Sequence, residues 1–272
     1  MDCPQDRKPQ PISLLPHLHK SAIRDLHTRG ITTLEQIAAM SISELRQIKG
    51  IKTSAEAIRA HAQAFTTNQP VWFGALPEIL PEGGWMMDIE TVMPENALVW
   101  SIGWCDVMGR YDSVVVNAYH DPCTKVEGGR TIQIVDDADE AWRVFALGVD
   151  DGRPVFHWSQ FDHGVMKRHA PVDVRERLNG RMIDLLGVFD KTVKLPLCSS
   201  SLKKVAPHVS SGMAWVGSAD ALIAHRDYQE WLETGDQHAL AQACRYQYGD
   251  VVALWRVWEW LISAHPGILV AP

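Results

Sequence analysis

Asp88 and Glu90 stand two residues apart in the apolar string Trp85-Met86-Met87-Asp88-Ile89-Glu90-Thr91. On a strand that spacing sends both carboxylates to one face. Two ionised carboxylates side by side among apolar neighbours repel each other and are poorly hydrated. A divalent cation held between them removes that cost, so the pair points to metal binding; the alternative is a solvated Asp-x-Glu on an open strand face. Asp162 lies in PVFHWSQFDHGVMKRH, just past a short apolar run, where a helix begins. A carboxylate there is a candidate ligand, or simply a charge favoured in a helix's first turn. Tyr246 and Asp250, in Cys244-Arg245-Tyr246-Gln247-Tyr248-Gly249-Asp250, are four apart and so share one face of a helix. The apolar run VVALW follows and sets Asp250 at the edge of a buried face.

A frame is needed to bring such residues together. From about residue 82, GGWMMDIETV, ALVWSIGWCDV and YDSVVVNAYH are apolar, β-branched or aromatic runs separated by turn residues. They predict consecutive strands joined by hairpins. Residues 136–152 read as an amphipathic helix, 154–158 as a short buried strand, and 159–169 and 172–178 as helical. A long helix runs from Gln237 to about Ala264, with any break near Gly249. Strands, a helix, another strand and further helices predict an α/β domain over residues 80–265, a sheet with helices packed on it.

Residues 12–68 have a different texture. Leu45 and Ile48, then Ile51, Ala55, Ile58 and Ala62, recur at helical spacing across a turn. Ser41-Ile42-Ser43-Glu44 fits a capping box and places a helix start there. TTNQP at 66–70 breaks the pattern and reads as a linker. A small all-α domain is thus expected in front of the α/β domain.

Charge follows the same division. Residues 1–70 carry nine Lys/Arg against six Asp/Glu, whereas 71–272 carry seventeen against twenty-seven. An acidic body with a mildly basic front suits a metal-binding domain joined to a phosphate-binding module. No apolar run approaches the roughly 18 residues needed to span a bilayer. The opening MDCPQDRKPQ lacks the apolar stretch of a signal peptide and reads as a frayed tail. The five cysteines are odd in number and form no CxxC pair, which disfavours a zinc or iron–sulfur site and fits a cytoplasmic protein.

Taken in order, the three acidic motifs resemble those of the DEDD exonucleases, ribonuclease-H-like proteins, in the branch whose last motif is Y-x-x-x-D. HWSQFD, MIDLL at 182–186, SLKKVAPHV at 201–209 and WLETGD at 231–236 look like a bacterial subgroup of predicted RecB-type nucleases. The resemblance covers about residues 83–262. It implies a mixed sheet flanked by helices and 3′–5′ exonucleolytic hydrolysis of phosphodiester bonds. The metal would be Mg²⁺ or Mn²⁺, as two ions about 3.5–4 Å apart. It further implies that Asp88 bridges both ions, that Glu90 and Asp250 complete the site of the attacking water, and that Asp162 holds the second ion. Tyr246 would orient that water or help deprotonate it. One departure is that better-known members carry an Asn shortly before the second motif, where His157-Trp158-Ser159-Gln160 stands here.

The helical front resembles tandem helix-hairpin-helix motifs, with Gly50-Ile51-Lys52 in place of the usual Gly-h-Gly. An earlier copy, Leu15 to Lys20, has no glycine. That resemblance implies phosphate binding around Gly50 and Lys52, and hence DNA rather than RNA; the alternative is a packing or protein-interaction module. Lys203 and Lys204, after the serines 199–201, are candidate phosphate contacts, or the start of a helix. Histidines 157 and 163 read as structural before catalytic, Asp184 as a helix cap or an acid behind the ligands, and Trp255, Trp258 and Trp260 as core or interface before base-stacking platforms. Rival readings are an RNA exonuclease on the same fold and a catalytically silent nucleic-acid-binding or assembly module.

Overall fold

The apolar, β-branched and aromatic runs after residue 82 do form strands, and the three- and four-residue spacings before residue 66 form helices. The computed structural model describes residues 9–16, 18–92, 98–117, 119, 123–127, 130–210 and 220–267. Of the frayed tail expected over residues 1–10, residues 1–8, with Cys3, lie outside the described residues, as does His17 of the earlier hairpin copy, whereas Gln10 is tied down, its carbonyl accepting the Leu34 N–H at 2.8 Å. The chain divides into two compact units, Met1–Leu76 with Val188–Ser201 and His265–Pro272, and Pro77–Gly187 with Leu202–Ala264.

The first unit holds helices α1 (Lys20–Thr28), α2 (Leu34–Ala39), α3 (Ile42–Leu45) and α4 (Ala55–Thr67). Reciprocal capping boxes start α2, with Thr33 and Gln36, and α3, with Ser41 and Glu44. Leu26, Leu34, Ile37, Leu45, Ile48 and Ile51 are fully buried between the helices. Gly50 supplies the left-handed turn between α3 and α4 at φ +86°. The linker expected at 66–70 is shorter than read. Thr66 and Thr67 stay helical, their hydroxyls donating to the Gln63 carbonyl at 3.0 and 2.7 Å, and Asn68 ends the helix at φ +54°. Strand β1 (Val71–Trp72) then pairs antiparallel with Val193–Lys194, the strand β9. Two-residue strands are too short for alternation to betray them.

In the second unit β2 (Trp85–Thr91), β3 (Val99–Cys105) and β4 (Tyr111–Val116) form the expected antiparallel meander. The chain continues through β5 (Cys123–Glu127), β6 (Arg130–Val135), α5 (Ala138–Gly148) and β7 (Val155–His157). Then come α6 (Gln160–His169), α7 (Val172–Leu178), β8 (Met182–Asp184), α8 (Leu185–Thr192), α9 (Leu202–Val209), α10 (Ala221–Thr234) and α11 (Gln237–Ala264). Seven strands lie in the order β5-β6-β4-β3-β2-β7-β8, with β7 parallel to β2 and β8, and β6 parallel to β4. The sheet is therefore mixed and flanked by helices. One face packs Met87, Ile89, Ile102 and Val114 against Trp142 and Phe145 of α5. The other packs Trp100, Val115 and Ile132 against Tyr228 and Trp231 of α10 and Leu240 and Ala243 of α11.

Sequence reading omits β5, β6 and β8. β5 is a polar edge strand and Met182–Asp184, at the other edge, is only three residues long, whereas β6 lies inside the sheet between β5 and β4 and does alternate, Ile132 and Ile134 against Thr131 and Gln133. Helix α11 runs unbroken for 28 residues, so no break occurs at Gly249. A mid-helix glycine costs about 1 kcal/mol relative to alanine, and Gly249, buried with its neighbours Asp250 and Val251, is held by packing.

Candidate active site

Alternation along β2 turns Met87 and Ile89 into the core beneath α5 and leaves Asp88 and Glu90 to the opposite face. There α11 brings up Asp250, and ligand oxygens of Asp88, Glu90 and Asp250 all lie within 4.8 Å of one another. The strand and the helix are tied at this level by Gln247, which is completely buried. Its Nε2 donates to the Asp88 carbonyl at 3.2 Å. Its Oε1 accepts from Ser101 Oγ at 2.6 Å and from the Tyr111 hydroxyl at 3.4 Å. Gly103 pairs with Asp88 across the β2–β3 ladder. A Cβ at Gly103 would lie 2.6 Å from Tyr111 Oη and 2.9 Å from Gln247 Cδ, so the tie needs the missing side chain.

Asp162 sits in the first turn of α6, after a turn with unusual geometry. Ser159, the helix cap, has φ +76° and ψ 176°. His157 Nδ1 donates to the Ser159 carbonyl at 2.6 Å, and the Ser159 N–H donates to Asp184 Oδ1 at 3.0 Å. Gln160 Nε2 donates to Asp184 Oδ2 at 2.9 Å, and the Gly187 N–H to Oδ1 at 3.1 Å. Asp184 thus caps α8 and braces the turn that presents Asp162. Burial pushes the His157 imidazole down to about 4, which makes it a neutral, structural donor.

The electrostatics of the cluster are severe. Burial first, then the charges of Glu90, Asp250 and Asp162, raise the Asp88 carboxyl well above its ordinary range. Glu90 is raised by burial and by Asp250, against the pull of Lys203. Asp162 is raised to about 8, chiefly by burial, although the backbone N–H groups of Asp162 and Ile89 oppose the rise. Burial raises Asp250 to about 6, opposed by Lys203 and by the Tyr246 hydroxyl. Tyr246 itself is pushed up by burial and by the carboxylates around it. Asp162 therefore belongs electrostatically to the cluster, while standing outside the group within 4.8 Å.

These residues fit a divalent cation. Asp88 Oδ2 and Asp250 Oδ1 are buried with no hydrogen-bond partner, which is costly unless a cation satisfies them. The donors are all carboxylate oxygens, the set preferred by hard cations such as Mg²⁺ and Mn²⁺.

The remaining candidates fall in several places. Lys203, on α9, donates from Nζ to the Tyr246 hydroxyl at 2.7 Å and so lies at the cluster, whereas Lys204 is exposed. Gly50 and Lys52 belong to the first unit, and Lys52 is exposed in the turn before α4. One hairpin N–H is already taken, Lys49 N donating to Asp25 Oδ2 at 2.8 Å. Trp255 and Trp258 are structural, their indole N–H groups donating to the Val107 and Leu80 carbonyls. Sequence reading missed Ser101, Gly103, Gln247 and the strained Ser159. The Asp-x-Glu pair marked the strand they serve, but nothing local marked them.

No curated protein matches the chain. The RNase_H superfamily profile RNase_H_2 matches residues 85–262, a span that contains every carboxylate of the cluster. Such proteins generally hydrolyse nucleic acids with divalent metals, and the Asp88–Glu90–Asp250 group has the composition to bind one. With the profile covering well over half of its length on a mixed seven-stranded sheet, the chain belongs to the RNase H superfamily.

Proposed function

We propose that this protein is a divalent-metal-dependent 3′–5′ exonuclease that acts in the cytoplasm on nucleic acid, on DNA in preference to RNA. The observation that carries the reading is the buried trio Asp88, Glu90 and Asp250, with two carboxylate oxygens left without partners. Asp88, Glu90 and Asp250 would hold one Mg²⁺ or Mn²⁺, and Asp162 with Asp88 a second. Bound there, the metal supplies Lewis-acid stabilisation of the phosphoryl oxygens and a water acidic enough to attack near neutral pH. Tyr246 would orient that water or help deprotonate it. Gln247 and Asp184 hold the strand and the turn from which Asp88 and Asp162 project.

Residues 80–265 would be the catalytic domain, and residues 12–68 a helix-hairpin-helix module whose Gly50 turn and Lys52 meet backbone phosphate. The DNA preference rests on that front alone. Of the two lysines that follow the serines 199–201, only Lys204 keeps an exposed side chain for phosphate contact.

The test is hydrolysis of 3′- and 5′-labelled single-stranded DNA and matched RNA, with Mg²⁺, Mn²⁺ or chelator, beside Asp88→Asn. Ladders shortening from the 3′ end, loss with chelator and loss in Asp88→Asn are expected. Cleavage that persists in excess chelator would overturn the metal mechanism. Lys52→Glu should weaken DNA binding and lower its salt slope, because a phosphate contact releases counterions. An unchanged slope would make the front a packing or partner module and remove the ground for DNA over RNA.

A further inference from the structure

Lys203 is turned inward. Its Nζ donates to the Tyr246 hydroxyl oxygen at 2.7 Å and stands 4.6 Å from the centre of the Tyr246 ring. Its charge also draws down the carboxyls of Glu90 and Asp250.

The donor inventory then decides where the phenol's proton goes. An ammonium has three donors and no acceptor, and a phenol oxygen has one proton and two lone pairs. Tyr246 therefore cannot donate to Lys203. Its hydroxyl proton is directed to Asp250, one turn further along α11, whose carboxyl it hydrogen-bonds and lowers. With one lone pair taken by Lys203 and the proton committed to Asp250, a single lone pair remains.

We infer that Lys203 is a positioning residue acting through Tyr246: it fixes the direction of the phenol's proton and leaves one acceptor for the attacking water. The inference rests on the nuclease reading above. Without the ammonium the hydroxyl is free to rotate, donating to Asp250 or to the water, and the water loses its defined partner. The same geometry explains why the lysine side chain is half-buried at the carboxylates while its neighbour Lys204 is exposed.

A double-mutant cycle tests this. Wild type, Lys203→Met, Tyr246→Phe and the double variant are compared on a 3′-labelled oligonucleotide with saturating Mn²⁺. A charge-assisted hydrogen bond of about 1.5–3 kcal/mol corresponds to about 10–100-fold in rate. Lys203→Met should lower kcat by that factor and leave KM within about twofold, since no interaction common to ground and transition state is lost. The double variant should be no slower than Tyr246→Phe alone, within about threefold, because coupled residues do not add. Lys203→Arg, which keeps a charged donor, should recover part of the loss. Multiplying losses in the double variant would overturn the inference, as would a raised KM with kcat unchanged, the mark of a lysine gripping substrate phosphate. Should Lys203→Met fail to fold, Lys203→Gln replaces it in the cycle and is read by the same criteria. A wild type without metal-dependent cleavage would bring down the nuclease reading and the inference with it; an active wild type with additive losses would bring down the inference alone.

Discussion

Replacing Asp88 by Asn should make the metal-free protein more stable while abolishing its reaction. Asp88 meets Glu90 and Asp250 with ligand oxygens no more than 4.8 Å away. At an effective dielectric of about 20, two unit charges at that distance repel by about 3.5 kcal/mol. The chain escapes the full repulsion by keeping protons on some of these groups, and every tenfold change in a group's proton affinity corresponds to about 1.4 kcal/mol. Removing one charge should therefore return about 2–4 kcal/mol near pH 8, since the Asn amide can donate to the flanking carboxylates. For a chain of this size that corresponds to a rise in Tm on the order of 5–10 °C. The assay is thermal unfolding in chelator and again in excess Mn²⁺. In chelator Asp88→Asn should melt above wild type. In Mn²⁺ wild type should gain and the variant should not, so their order narrows or reverses. An Asp88→Asn protein that melts at or below wild type in chelator would refute the picture of a site strained by its own charges.

Three further expectations share this basis. Folded-state pKa values of about 6 for Asp250 and about 8 for Asp162 lie above their unfolded values. Such groups stabilise the fold fully below about pH 4 and lose that contribution as pH climbs through about 6 and 8. Metal must displace the same protons, so calorimetry in buffers of different ionisation enthalpy should find proton release on Mn²⁺ binding at pH 6 that declines as pH passes 8. Release that does not vary with pH would contradict the raised pKa values. Gly103→Ala should cost about 1–3 kcal/mol by overpacking and weaken Mn²⁺ binding, because its Cβ collides with the Tyr111 hydroxyl and Gln247; wild-type melting and Mn²⁺ affinity would count against the tie. Asp184→Ala strips the acceptor from Ser159, Gln160 and Gly187. Urea unfolding should show a loss of about 2–3 kcal/mol, and a loss below about 0.5 kcal/mol would mean the turn holds without its brace.

The acidic trio was legible because its chemistry coincides with local periods. Asp88 and Glu90 sit two apart on a strand, and Tyr246 and Asp250 four apart on a helix, so each pair shares a face before any tertiary contact is known. The meander β2–β4 was legible from its apolar, β-branched runs bounded by turn residues, and α11 from its long helical pattern. What holds them is not local. Ser101 and Gln247 are 146 residues apart, and Gln247 and the Asp88 carbonyl 159. A buried glutamine in a helix looks like any other helical residue until its partners are seen. Lys203, read as a phosphate contact or the start of a helix, does lie at the start of α9, and only the packing of α9 beside α11 shows that its amine reaches Tyr246. The strands β5 and β8 escaped because a polar edge strand and a three-residue segment leave no alternation to read; β6, inside the sheet, carries one in Ile132 and Ile134 against Thr131 and Gln133 that the sequence reading passed over.

Ser159 has a consequence for how this protein can be improved. A residue with a side chain at φ +76° and ψ 176° occupies backbone space that belongs to glycine, at a cost of about 1–3 kcal/mol. Ser159→Gly would recover much of that, less about 0.5–1 kcal/mol for the added freedom of the unfolded chain. A screen for thermal tolerance would thus be drawn to this position. The side-chain contact it would give up is the hydroxyl's acceptance of the Phe161 N–H at the start of the helix that carries Asp162, while the bonds to Asp184 and His157 run through the backbone and stay. At Ser159 the stability that glycine would return is therefore set against a single helix-cap bond, and that bond is the one route by which the substitution could disturb the aim of Asp162.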